Sequence, residues 1–364
     1  MTIRTAVKAL APYRFTPRPE PIKLDQNESP DDVPALLKQR VVRALSDVAW
    51  NRYPDLGPRA LEARLAQRHG VAAEAVVVAN GSNTLIQAIT IVSALGRSVI
   101  TVAPTFAVYS AQAHLLGAEL VEVPLLPGFA LPARELVAAS AGRSGVLFLA
   151  NPAAPTGNLF TESEMERLVE AVGPGLLVVI DEAYAEFAGK NLEAMAARHE
   201  NVVVLRTFSK AFGLAGARVG YALAHPGVAE ELRKALLPFS VGAWQTAVAT
   251  ALLDEQGLVT ERVRHVLAER RRLSAALAAL PGVEPFPSEA NFILFRVADP
   301  AAWYHRLLAA GVVIRRQDHL PGAEGCLRVS VGTGPENDAF LAACEAAAGA
   351  SGPLEGRDGT DTQR

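Results

Sequence analysis

Short, largely apolar runs recur through the middle of the chain at Val76–Val78, Ser98–Val102, Val146–Ala150, Leu176–Ile180, Val202–Leu205 and Val219–Leu223. Each is long enough for a strand and too short for a helix. Strands apolar at nearly every position are buried on both faces, which is the mark of a mostly parallel sheet covered by helices. Helical patterns lie between them. The stretch from Pro58 to His69 opens on proline, carries leucines at 61 and 65, and is followed by Gly70 where a C-terminal cap belongs. The spacing therefore predicts an α/β fold.

The chain has 364 residues, half of them apolar, enough for a large core and more than one domain. We place a large domain at 50–240 and a smaller α+β domain at 241–350, the latter containing a helix over Glu261–Leu280 and strands at Asn291–Arg296 and Cys326–Val331. Residues 1–49, rich in proline and short of periodicity, read as an extended arm that joins the small domain or a neighbouring subunit. Residues 351–364 read as a disordered tail. The net charge of −3, with both signs dispersed, argues against nucleic acid, and the run Arg270-Arg271-Arg272 reads as a solvated helix face. Two cysteines, Cys326 and Cys344, are too few for a disulfide framework or a metal site, and the histidines lack ligand spacing. No apolar run reaches membrane-spanning length and no leader opens the chain, so the expected location is the cytoplasm.

One stretch carries chemistry. Leu205 to Arg218, LRTFSKAFGLAGAR, follows the strand at Val202–Leu205 and sets Lys210 among small, hydroxyl and aromatic residues, with an arginine eight positions on. Of the six lysines, only Lys210 lies just past a buried strand. Ligands of open α/β sheets gather at the carboxyl ends of the strands. Phe208, Ala211 and Phe212 would penalise the ammonium form, as a Schiff-base lysine requires, while Thr207, Ser209 and Arg218 suit a phosphate. The group that needs both an amine tether and a phosphate cradle is pyridoxal phosphate. Asp181, ending the run Leu176–Ile180, can reach the nitrogen of its ring or cap the next helix. Tyr184 can donate to the ring's phenolate oxygen or simply pack. Gly81-Ser82-Asn83, between a strand and the helical pattern Leu85–Leu95, offers backbone donors to a phosphate or an ordinary cap. Phe106 can stack on the ring or belong to the core.

With these pieces in order, the sequence resembles the fold-type I pyridoxal-phosphate aminotransferases, and within them the histidinol-phosphate aminotransferases. The match rests on Leu24-Asp-Gln-Asn-Glu28, Asn51-Arg-Tyr-Pro54, Asn151-Pro-Ala-Ala-Pro-Thr-Gly157, Asp181-Glu-Ala-Tyr184, Arg206-Thr-Phe-Ser-Lys210, Ser288-Glu-Ala-Asn291 and Gly325-Cys-Leu-Arg-Val-Ser-Val-Gly-Thr333. The resemblance implies a large domain with a mostly parallel sheet plus a small α+β domain. It implies Lys210 as the tethering lysine, Asp181 and Tyr184 as partners of the ring nitrogen and ring hydroxyl, and Gly81, Ser82, Asn83, Thr207, Ser209 and Arg218 around the phosphate with Phe106 over the ring. It also implies a homodimer in which Tyr53 reaches the partner's cofactor phosphate. Substrate anions would meet Arg315 and Arg328, with Tyr13 and Asn27 nearby. Arg316 is the alternative to Arg315, whose other reading is a surface salt bridge. The family usually has asparagine ahead of Pro-Thr-Gly, whereas this chain has Ala153 and Ala154, so Tyr184 would carry the ring contact alone. The implied reaction exchanges L-histidinol phosphate and 2-oxoglutarate for imidazole acetol phosphate and L-glutamate, with no metal. An aromatic or broad-specificity aminotransferase, a threonine-phosphate decarboxylase and a non-catalytic regulator stay open as alternatives. The regulator would need a DNA-binding domain, for which the dozen residues ahead of the arm are too few.

Overall fold

The computed structural model describes residues 2–11 and 20–349. Seven strands form the main sheet: β2 (Val76–Ala79), β3 (Ser98–Ala103), β4 (Glu119–Pro124), β5 (Gly145–Ala150), β6 (Leu176–Asp181), β7 (Val202–Thr207) and β8 (Gly220–Ala224), with β1 (Ile22–Lys23) lying elsewhere. Their order is β2-β8-β7-β6-β5-β3-β4, and only β8 runs against the rest. The expected mostly parallel sheet is present. Alternate residues divide between two apolar layers, as the period of two in a strand requires. Val77, Val99, Phe148, Val179 and Val203 meet the helices Ser82–Ala94, Val108–Leu116 and Pro226–Ala235 on one face. Val78, Ile100, Leu147, Val178 and Val204 belong to the larger core on the other.

Four further strands, β9 (Glu284–Pro285), β10 (Phe292–Arg296), β12 (Arg315–Arg316) and β13 (Cys326–Ser330), make an antiparallel sheet in the order β12-β13-β10-β9, while β11 (Val312–Val313) pairs in parallel with β1. The N-terminal segment is thereby stitched to this second sheet. Leu24 donates its amide to Val313, and its carbonyl accepts from Ser330. The expectation of an extended arm over 1–49 needs correction at its end, because Ala35–Ser46 is a helix that buries Leu37 and Val41. The long helix predicted at 261–280 starts earlier, spanning Gln256–Ala279. Within it the arginine run is not uniformly solvated: Arg270 is buried, donating to the Ala290 carbonyl and the Glu289 carboxylate. Residues 351–364 and Tyr13 lie outside the described residues. Among the described residues no helix is long and apolar enough to cross a membrane, no cluster of potential metal ligands occurs, and both cysteines are free and buried.

Candidate active site

The carboxyl ends of β5, β6 and β7 lie side by side, with Ala150 in register with Asp181 and Asp181 with Leu205. They open into a cavity of about 390 Å³ lined by Lys210, Asp181, Tyr184, Phe106, Arg218 and Ser82 among others. That volume suits a small organic cofactor. Lys210 follows β7, and its Nζ donates to the Gln26 carbonyl at 3.0 Å. Burial lowers its pKa to about 7, and the neighbouring Arg328 guanidinium pushes the same way. The amine is therefore largely unprotonated just above neutrality.

Asp181 is buried at the end of β6. Its Oδ1 accepts from the Ala183 amide at 3.1 Å, ahead of the short helix Ala185–Ala188, which has no side-chain cap, and its Oδ2 accepts from the Tyr109 hydroxyl at 2.9 Å. Burial raises the carboxyl to about 6, opposed by these two donors and by Lys210. Tyr109 is a site residue that the sequence reading passed over. It lies flat on Phe148, with ring centroids 4.8 Å apart, and edge-on to Phe106 at 5.6 Å. Its position three residues after Phe106, near the start of the helix Val108–Leu116, was the available signal.

Tyr184 both packs and faces the cavity. It stands edge-on to Phe292, and its hydroxyl oxygen accepts from Asn27 Nδ2 at 2.9 Å. Asn27, at a φ of 53°, is fixed by Ser330, whose hydroxyl accepts the Asn27 amide at 2.8 Å. Ala154 lines the cavity where the family usually has an amide. Asn151 cannot replace it, because both ends of its side chain bond Phe160.

The anion end is built from three directions. Gly220 of β8 is in register with both Thr207 and Ala79. A Cβ on Gly220 would stand 2.3 Å from the Ser82 amide nitrogen, so only glycine lets the helix start approach this closely. That helix begins after Gly81, at a φ of 77°, with no side chain capping its first amides. Gly81 in turn lies against Arg218, whose Nη2 a Cβ would meet at 2.6 Å. Thr207 Oγ1 receives the Ser209 amide and donates to Ser209 Oγ, and the Arg218 guanidinium lies 3.5 Å from the same Oγ. Uncapped helix amides, two hydroxyls and an arginine fit a phosphate. A buried carboxylate and an amine fit the ring nitrogen and aldehyde of pyridoxal phosphate.

The remaining candidates are arranged differently. Arg315 is directly opposite Arg328 across β12 and β13, and Arg328 donates to the Asp25 carbonyl at 2.8 Å. Arg316 is engaged by both carboxylate oxygens of Asp318, at 3.0 and 2.6 Å. Tyr53 is not in the lining. It is 82% exposed and stacks on Phe239 at 4.8 Å.

Strand order, lysine loop and phosphate cradle together fit a pyridoxal-phosphate enzyme of fold type I. The model for aminotransferase class I and II matches residues 19–344, and the chain belongs to that family. Among its relatives, the histidinol-phosphate aminotransferase of Deinococcus radiodurans is 43% identical over 94% of this chain and 95% of that protein. The histidinol-phosphate aminotransferase of Thermococcus gammatolerans is 40% identical over 95% and 98%. The crystal structure of histidinol-phosphate aminotransferase from Sinorhizobium meliloti in complex with pyridoxal-5'-phosphate has a TM-score of 0.87 at 26% identity, covering 95% of this chain and 97% of that one.

Loss of the Tyr109 hydroxyl deprives Asp181 of its only side-chain donor among the described residues. In Tyr109→Phe the buried carboxylate takes up a proton more readily and holds a ring nitrogen less well. The apparent Kd for pyridoxal phosphate, from titration of the apoprotein, is expected to rise about tenfold. A Kd within twofold of wild type would contradict this role.

Proposed function

We propose that the protein transfers the amino group between L-histidinol phosphate and 2-oxoglutarate, giving imidazole acetol phosphate and L-glutamate, a step of histidine biosynthesis. The observation that carries this reading is the pair Arg315 and Arg328. The two arginines stand directly opposite each other across a strand pair, and both partners of the reaction bring an anion that such a pair can meet, a phosphate or a carboxylate. Guanidinium forks accept either. The near full-length relationship to histidinol-phosphate aminotransferases supports the same choice.

Bound pyridoxal phosphate supplies a ring that withdraws electrons from the substrate α-carbon. Asp181 would hold the ring nitrogen and keep a proton there. Tyr184 turns its own proton toward the ring hydroxyl while Asn27 donates to its oxygen. The amides at Gly81, Ser82 and Asn83, with Thr207, Ser209 and Arg218, hold the phosphate, and Phe106 covers one ring face. Lys210 would tether the cofactor and act as the base that takes the proton from the substrate α-carbon. Asn27, bonded to Tyr184, would lie on the substrate side.

The working unit in this reading is a homodimer in the cytoplasm, with Tyr53 reaching the partner's cofactor phosphate. The large unit covers 50–240, and the small one 241–350 with the N-terminal segment. Trp50, Tyr53, Leu56 and Leu237 are large side chains left exposed on one chain, which fits a face covered by a second copy.

The test is a half-reaction. Holoenzyme mixed with histidinol phosphate and no acceptor should lose its cofactor absorbance stoichiometrically, and 2-oxoglutarate should restore it. No change, or release of carbon dioxide, overturns the reading. A kcat/KM for phenylalanine equal to that for histidinol phosphate would favour a broad aromatic aminotransferase.

A further inference from the structure

Glu28 lines the cavity beside Lys210 and also the adjoining cleft bounded by Lys23, Asp32, Gly216 and Glu336. Glu28 therefore borders both, and its negative charge acts on Lys210. The backbone beneath it is fixed, since Asn291 Nδ2 donates to the carbonyls of Asn27 and Glu28 at 3.1 and 3.4 Å. Among the described residues only Lys23 bonds the Glu28 carboxylate, through Oε2, and the two side chains are 41% and 44% exposed. Lys23 is shared with Asp25 at 3.1 Å. A carboxylate accepts about four hydrogen bonds, so Oε1 retains capacity toward the cavity.

This charge is unexpected in a site for anions. Lys210 and Arg218 line the cavity, and Arg328 acts on Lys210 from close by. A carboxylate at the mouth repels every phosphate or carboxylate that enters. The only other carboxylate in the lining, Asp181, is occupied by Tyr109 and Ala183. Lys23 compensates Glu28 through Oε2, and a substrate that brings a donor to Oε1 would turn the remaining repulsion into an attraction.

We propose that Glu28 is a specificity-determining residue whose carboxylate accepts a hydrogen bond from the ring N–H of a nitrogen heterocycle on the amino substrate. The assignment rests on the reading that the site takes a heterocyclic amino donor. A ring lacking that N–H leaves the carboxylate facing an apolar edge, and such mismatches discriminate strongly.

The test compares L-histidinol with L-phenylalaninol, which differ in the ring alone, by calorimetric titration into holoenzyme. Wild type is expected to favour histidinol by at least about tenfold. Glu28→Leu should abolish the preference, leaving phenylalaninol within about twofold, and Glu28→Gln, which keeps a neutral acceptor, should fall between. Melting temperatures check folding, since the half-exposed Lys23 pair contributes little. An equal loss for both ligands would assign Glu28 to the charge of Lys210 or to the fold and overturn the proposal, as would an unchanged preference or none in wild type. Should wild type fail to turn over histidinol phosphate yet keep a Glu28-dependent preference, the proposed reaction fails and this assignment stands.

Discussion

Lys210→Ala should lower kcat by at least about a thousandfold while leaving pyridoxal phosphate bound. Lys210 is the only one of the six lysines that is not exposed, and of the two carboxylates in the lining Asp181 is held by Tyr109 and Ala183 while Glu28 is paired with Lys23. In the proposed site the phosphate is held by Thr207, Ser209, Arg218 and the helix start, which the substitution leaves intact. Turnover within tenfold of wild type would remove Lys210 from the chemistry. The same lysine has a signature in the apoprotein. Its folded pKa of about 7 lies below the usual 10.5 because burial disfavours the ammonium. Between those values the unfolded chain binds the extra proton, so stability rises with pH from about 7 to 10.5. Lys210→Met should flatten that rise in melting temperature, and an unchanged slope would place the titration elsewhere.

The second large effect lies behind the site. Arg206 of β7 is buried between Glu182, at 2.8 Å, and Glu186, at 2.8 Å, with Glu193 at 3.8 Å. Glu193 continues to His69, and His69 to the Tyr221 hydroxyl at 2.9 Å. Burial pushes the Arg206 pKa down, but Glu186, Tyr221 and Glu182 outweigh it and hold it well above the usual range. The network fastens the turn after Asp181 to the strand before Lys210. Arg206→Met would leave Glu182 buried without its cation, at a cost of about 3–5 kcal/mol, or a melting temperature lower by on the order of 10 °C. Arg206→Lys should lose less, because it keeps the charge but not the fork that reaches two carboxylates. A shift under 2 °C for the methionine variant, set against that ~10 °C expectation, would mean the network contributes little.

What the sequence made legible follows from how each element is buried. Strands such as Val146–Ala150 and Val202–Leu205 are covered on both faces and announce themselves as unbroken apolar runs. Strand β4, ELVEVP, was passed over because it lies at the sheet edge and alternates, leaving Glu119 exposed. The helix Ala35–Ser46 was hidden by the proline-rich context before it and by Leu36 and Val42, which face outward. Lys210 and Asp181 could be found because one follows a buried strand and the other ends one, and Arg218 because it lies eight positions after Lys210. Tyr109 and Glu28 could not be found that way. Tyr109 acts through a hydrogen bond to a residue 72 positions distant, and Glu28 acquires its place only when the N-terminal segment is pinned to Ser330 and Asn291. The choice between Arg315 and Arg316 likewise needed the register that sets Arg315 opposite Arg328 and the ion pair that turns Arg316 to Asp318.

Borohydride reduction of the holoenzyme followed by peptide mapping is the most direct test of how the cofactor is held. A pyridoxyl label on Lys210 alone is the expected result. A label on any other lysine, or none on protein that has retained its cofactor, would contradict the site described here.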